Sequence, residues 1–159
     1  MSKFLIITCF FSLGLLSNSS LALELTVKIQ KIKAFDKKLM MELFLLTDKA
    51  SQSWEECELI DKRVVEFNTE MQATNQAIVF SQLKSGKYSL RVFQDINNNG
   101  VLDKSSNNIP LEPVGFSSNP SLFGGEPSPD DSSIALISDQ AIVVDLKHRK
   151  PRKKRARRH

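Results

Sequence analysis

Residues 86–103 read Gly-Lys-Tyr-Ser-Leu-Arg-Val-Phe-Gln-Asp-Ile-Asn-Asn-Asn-Gly-Val-Leu-Asp, an alternating run that breaks into a polar turn. Tyr88, Leu90 and Val92 alternate with Ser89 and Arg91, which places apolar side chains on one face of an extended chain. Gly86 reads as the turn that opens this strand. The same period of two extends outward on both sides. Leu25, Val27 and Ile29 alternate with Thr26 and Lys28, while residues 39–46 (Leu-Met-Met-Glu-Leu-Phe-Leu-Leu) are apolar on both faces except at Glu42, as in a central strand. Val65 with Phe67 suggests a third strand and Ile78 with Phe80 a fourth. Residues 134–137 and 141–146 give two more, separated by Ser138-Asp139-Gln140. Seven short strands predict an all-β fold, an antiparallel β-sandwich with one long polar loop over residues 96–131. The one helical candidate lies in residues 51–61, where Ser53 and Glu56 have capping-box spacing and Trp54 and Cys57 share a side.

The ends of the chain differ from this middle. Met1, Ser2 and Lys3 precede an apolar run over residues 4–16, and residues 17–22 (Ser-Asn-Ser-Ser-Leu-Ala) are small or polar except Leu21. That order is expected of a secretory signal peptide over residues 1–22, and the run is shorter than the roughly 20 residues that a membrane span requires. The expected address is periplasmic or secreted, with no transmembrane segment after signal removal. Past the signal only Cys57 remains, so the domain over residues 23–146 has no internal disulfide and must be held by ordinary burial. Residues 147–159 hold nine Lys or Arg and no acid; residues 23–146 hold twelve against all eighteen acids, a net −6. Such a basic tail has nothing to bury and is expected to be disordered.

Beyond the strand, oxygen-bearing side chains recur at alternate positions: Asp95, Asn97, Asn99 and then Asp103, with Gly100 at the sharp bend and the Val101 carbonyl after it. Calcium is a hard ion that takes six to eight oxygens, and a tightly wound loop presents alternate residues toward one centre. Ser106 stands where a complete loop would carry a bidentate Glu, so Glu112, Asp130 or Asp131 would have to help. Few charges imply weak binding, at about 10⁻⁴–10⁻³ M. The competing reading is a plain Asn99-Gly100 turn, since Asn and Asp tolerate left-handed backbone.

Three blocks of this chain resemble an exported bacterial family, domain of unknown function family 2141. They are residues 83–92 (Leu-Lys-Ser-Gly-Lys-Tyr-Ser-Leu-Arg-Val), residues 93–103 (Phe-Gln-Asp-Ile-Asn-Asn-Asn-Gly-Val-Leu-Asp) and residues 109–119 (Ile-Pro-Leu-Glu-Pro-Val-Gly-Phe-Ser-Ser-Asn). Asn108 stands where that pattern has Gly, and Pro129 where it has an aromatic. The resemblance implies a transthyretin-like or immunoglobulin-like sandwich and brings no activity with it. In the third block Glu112, Gly115, Phe116 and Asn119 are placed to fold back over the loop, with Phe116 read as a lid on the core.

His148 and His159 are the only histidines, both in the tail, so Ser-His-Asp, Cys-His and histidine-zinc chemistry are excluded from the domain. The expectation is a non-catalytic binding or structural module, with Ca²⁺ as its possible cofactor and a protein or polysaccharide of the cell envelope as its partner. Two alternatives stay open. The tail would bind anionic surfaces such as lipid headgroups or lipopolysaccharide, with nucleic acid disfavoured because no aromatic is there to stack on bases. A carbohydrate hydrolase would work through carboxylates alone, such as Asp95 with Glu112.

Overall fold

The computed structural model describes residues 22–33, 36–47, 53–66 and 77–148. Most of the expected signal segment, Phe67, and the tail beyond His148 lie outside the described residues. Among the described residues eight strands form two sheets: β1 Leu23–Gln30, β2 Lys38–Leu46, β3 Glu58–Val65, β4 Ala77–Leu83, β5 Gly86–Asp95, β6 Val114–Phe116, β7 Ser133–Leu136 and β8 Gln140–Asp145. The smaller sheet has the order β4-β1-β8 and the larger β3-β2-β5-β6, with β7 also pairing β5. The fold is the expected all-β sandwich. One pair departs from the antiparallel expectation: β1 and β8 run parallel, from Leu25 opposite Gln140 to Gln30 opposite Asp145.

Period-two burial explains the layering. Leu25, Val27, Phe80, Ile142 and Val144 of the smaller sheet meet Leu39, Met41, Leu43, Tyr88, Leu90 and Val92 of the larger one in the main core. The alternate residues of β2, Met40, Phe44 and Leu46, join Phe93, Val114, Phe116, Trp54 and Leu102 in a second core on the outer face of the larger sheet. That second core is why residues 39–46 are apolar on both sides. Burying such side chains contributes about 1.5–3 kcal/mol each, and the second core binds the long segment after β5 to the sheet.

Four expectations need correction. The helical candidate shrinks to one 3-10 turn, Trp54–Glu56, capped by Ser53 Oγ accepting from the Glu55 N–H; β3 then starts at Glu58. The capping partner is therefore Glu55, because a 3-10 turn closes one residue sooner than an α-turn. The segment over residues 96–131 is not a single loop, since it contains β6, whose Val114 pairs with Phe93. Its short run Val-Gly-Phe offers no alternation long enough to read from sequence. The basic tail does not begin at 147: Lys147 N–H donates to Val114 O at 2.8 Å and Val114 N–H to Lys147 O at 3.2 Å. Finally, Gly86 is a strand residue at close quarters and not a turn, since an added Cβ would lie 3.2 Å from Leu45 Cδ1.

The exposed edges of the sandwich are guarded. The β2–β3 register shifts between Leu43 and Phe44, leaving Ile60 as the extra residue of a bulge. Arg63 of β3 donates to Val79 O at 2.7 Å and lies 4.3 Å over the Phe80 ring, closing the side between β3 and β4. Bulges and edge charges disfavour pairing with other chains. No helix among the described residues is long and apolar enough to cross a membrane.

Candidate functional site

Strand β5 delivers Asp95, two residues beyond Phe93, into the start of the 95–103 loop. Asp95 is almost fully buried, and its two oxygens accept from Asn99 N–H at 3.0 Å and Gly100 N–H at 2.8 Å. These bonds fix the bend. Asn98 and Gly100 have φ of 60° and 77°, the left-handed backbone that Asn and Gly adopt at least cost. Asn97 Oδ1 accepts from Asn99 N–H at 3.1 Å, and Asn99 Oδ1 from Val101 N–H at 3.0 Å. The other ends of both amides converge on one carboxylate: Asn97 Nδ2 donates to Asp103 Oδ2 at 2.6 Å and Asn99 Nδ2 to Asp103 Oδ1 at 3.2 Å.

Glu112 closes the loop from behind. Its Oε1 accepts from Ile96 N–H at 2.8 Å and its Oε2 from Asp103 N–H at 3.2 Å, so one buried carboxylate ties the two ends of the loop together. Burial pushes its pKa above the usual carboxylate value; the two N–H donors oppose that shift, and the charges of Asp103 and Asp95 add to it. The expected residues therefore divide by role. Asn97, Asn99 and Asp103 meet at one point, Asp95 and Glu112 hold the backbone around them, and Val101 has an exposed side chain. Asp130 is drawn instead to Lys87, and Asp131 to Ser128. Among the described residues no three His, Cys, Asp or Glu side chains gather as a ready-made metal cage.

The third sequence block behaves in parts as expected. Phe116 sits in the second core, and Gly115 passes so close to β8 that an added Cβ would lie 2.7 Å from Val144 Cγ1 and 2.9 Å from Asp145 O. Asn119 does not reach the loop; its side chain donates to Val143 O and accepts from Asp145 N–H. Asn108 has φ of 56°, which accounts for the Gly that the resemblance expects there.

Beside the loop lies a charge network that sequence reading missed. Across the outer face of the larger sheet, Glu42 stands between Lys62 of β3 and Arg91 of β5. Arg91 donates twice to Glu42, at 2.9 and 2.7 Å, and once to Glu126 at 2.9 Å. Lys104, the residue after Asp103, bonds the same Glu126 at 2.8 Å. Lys62 bridges Glu42 at 3.2 Å and donates to Gly100 O, also at 3.2 Å, which links the network to the bend. The Arg91 guanidinium lies 4.9 Å from the Trp54 ring and 5.5 Å from that of Phe44, and Trp54 donates its indole N–H to Pro127 O at 3.0 Å. Glu42, the single charge in the apolar run over residues 39–46, was the visible signal. Glu126, which shares Arg91 with it, lies too far along the chain to be inferred.

A family model described as an uncharacterized protein conserved in bacteria (DUF2141) matches residues 27–144. No curated protein and no solved structure matches the chain.

Proposed function

The chain belongs to this uncharacterized bacterial family, and from that premise we propose that it is an exported, non-catalytic binding module whose 95–103 loop takes a calcium-type cation. The observation that carries the reading is that the bend gathers Asn97, Asn99 and Asp103 at one point, where both amides present Nδ2 donors to the Asp103 carboxylate. An ion held by Asp103 would displace those N–H donors, and the two amides would have to turn toward it the oxygens that now accept from Asn99 N–H and Val101 N–H. Asp95 sets the bend that brings them together, and Glu112 fixes both ends. The ion would supply charge neutralisation among Asp95, Asp103 and Glu112, whose mutual repulsion already contributes to the shift of Glu112.

The non-catalytic part of the reading is supported by how the carboxylates are used. Both oxygens of Asp95 and of Glu112 accept backbone N–H bonds, which leaves that pair badly placed for acid–base work on a glycoside. The exported part rests on the residues 1–22 pattern and would bring the loop into a calcium-containing compartment.

Calcium titration with melting as readout tests the reading. A ligand that binds only the folded state at ten times its dissociation constant stabilises by about 1.4 kcal/mol, worth roughly 3–6 °C in a domain of this size. The expected result is such a rise at 10 mM calcium, absent in Asp103→Ala. No rise in the natural chain at 10 mM calcium refutes the loop.

A further inference from the structure

We propose that the turn over residues 120–131 is a carbohydrate-binding subsite, with Phe123 as a stacking platform for a neutral sugar ring. Phe123 is 99% exposed, whereas every other large apolar side chain among the described residues keeps at least a fifth of itself covered. The backbone that carries it is nonetheless anchored. Leu122 before it packs against the second core, Gly125 N–H bonds back to Leu122 O at 3.3 Å, and Phe123 N–H bonds Ser121 Oγ at 3.2 Å. Gly125, at φ 133°, presses so close to Asn108 that an added Cβ would lie 2.9 Å from its carbonyl oxygen. Glu126 N–H donates to that same carbonyl, and the Glu126 carboxylate is locked by Arg91 and Lys104. The anchored backbone spares the cost of ordering the turn, so that only the ring's own rotamers are lost on binding.

The space beside Phe123 selects the ligand class. A cavity of about 590 Å³ is lined by Phe123, Ser121, Ser128, Glu126 and Asp131 together with neighbouring glycines and prolines. That volume is within the usual range for small-molecule sites. Hydroxyl and carboxylate walls disfavour an apolar ligand, and the Asp131 carboxylate disfavours a phosphate, while that of Glu126 is buried against Arg91 and Lys104. What fits is a molecule with one apolar face and a hydroxylated rim, which describes a pyranose. Its C–H face would lie on the Phe123 ring while its hydroxyls donate to Asp131 and exchange hydrogen bonds with Ser128. The inference does not depend on the cation loop.

Trp54, the only tryptophan, donates to Pro127 O on the wall of this cavity and so reports on it by fluorescence. The full chain is titrated with cellohexaose and with chitohexaose, by calorimetry and by Trp54 emission. At least one of the two is expected to bind saturably, at least tenfold more weakly in Phe123→Ala and two- to fivefold more weakly in Asp131→Asn, with melting unchanged in both variants. Phe123→Trp is expected to keep the affinity. The proposal is overturned if neither oligosaccharide binds at 10 mM, if Phe123→Ala binds as tightly as the natural chain, or if Phe123→Ala lowers the melting temperature. It is equally overturned if Phe123 is needed for choline or for phosphatidylglycerol vesicles and not for the sugars.

Discussion

Removing Arg91 tests whether the long segment after β5 is held to the sheet by charge. Its side chain is 14% exposed, and those of its partners Glu42 and Glu126 are 9% and 1% exposed. Arg91→Met keeps most of the volume and deletes three hydrogen bonds, leaving two carboxylates in a largely dry place. Breaking a buried pair by removing one member costs about 3–5 kcal/mol, chiefly because the partner's charge is stranded. Two features pull the figure toward the lower end. Glu42 keeps Lys62 at 3.2 Å and Glu126 keeps Lys104 at 2.8 Å, so neither carboxylate is left wholly alone. The lost guanidinium–ring contacts with Trp54 and Phe44 add back about 0.5–1 kcal/mol. The expected loss is therefore about 3–4 kcal/mol, or roughly 10–15 °C in melting temperature.

Guanidinium and thermal unfolding followed by circular dichroism measure that loss, and Trp54 emission should shift to the red as its cover loosens. A second variant separates charge from packing. With Glu42→Gln and Glu126→Gln added to Arg91→Met, no bare charge remains in the network's centre, and Lys62 and Lys104 are exposed enough to hydrate. Replacing a buried ionic group by neutral residues is often close to neutral for stability. The triple variant should recover to within about 1 kcal/mol of the natural chain. A loss under 1 kcal/mol in the single variant, or a triple variant no better than the single, would mean that the network is incidental to stability.

Glu112→Ala removes the acceptor of two N–H groups and should cost about 2–4 kcal/mol; hydrogen exchange at Ile96 and Asp103 should rise with it, and unchanged protection there would contradict the clamp. The pH dependence of Glu112 has a definite sign. Its folded pKa is raised above 4.5, so its favourable contribution is full below 4.5 and is lost as pH rises through the folded value. Stability of the natural chain relative to Glu112→Gln should fall over that window, and a relative rise would contradict the shift. Gly115→Ala forces a Cβ into Val144 and the Asp145 carbonyl and should cost about 1–3 kcal/mol by denaturant titration. Deleting residues 149–159 should leave melting unchanged, while deleting from 147 removes the two Val114 hydrogen bonds and should cost about 1–3 kcal/mol.

How far the sequence could be read depends on the range of the forces involved. Period-two burial is local, so β1, β2, β5 and β8 were visible from their own residues, and the two-faced run over residues 39–46 correctly implied cover on both sides. The bend at Gly100 was visible for the same reason, because Asp95, Asn97 and Asn99 act on N–H groups two to five residues ahead. What stayed hidden is set by distant partners. Strand β3 was placed too late because its edge position exposes Leu59, Ile60 and Val64 and blurs the alternation. Strand β6 is three residues long and exists only because β5 offers it an edge. The β1–β8 parallel pairing and the Glu42–Arg91–Glu126 contact join residues 35 or more apart, for which local spacing carries no signal.

These long-range links place the 95–103 loop and the Phe123 turn on one mechanical path. Asp103 carries the proposed ion, the next residue, Lys104, pairs with Glu126, and Glu126 anchors the turn that presents Phe123. Lys62 joins the same network to the Gly100 carbonyl from the other side. A cation that draws Asp103 inward must shift the backbone of Lys104, and with it the base of the turn. If that path transmits free energy, calcium changes the oligosaccharide affinity by some factor, and the oligosaccharide must change the calcium affinity by the same factor. Lys104→Ala should bring both factors to one while leaving each ligand able to bind alone. Coupling that survives Lys104→Ala would require a different route between the two sites. Unequal factors would mean that at least one titration is reporting something other than binding.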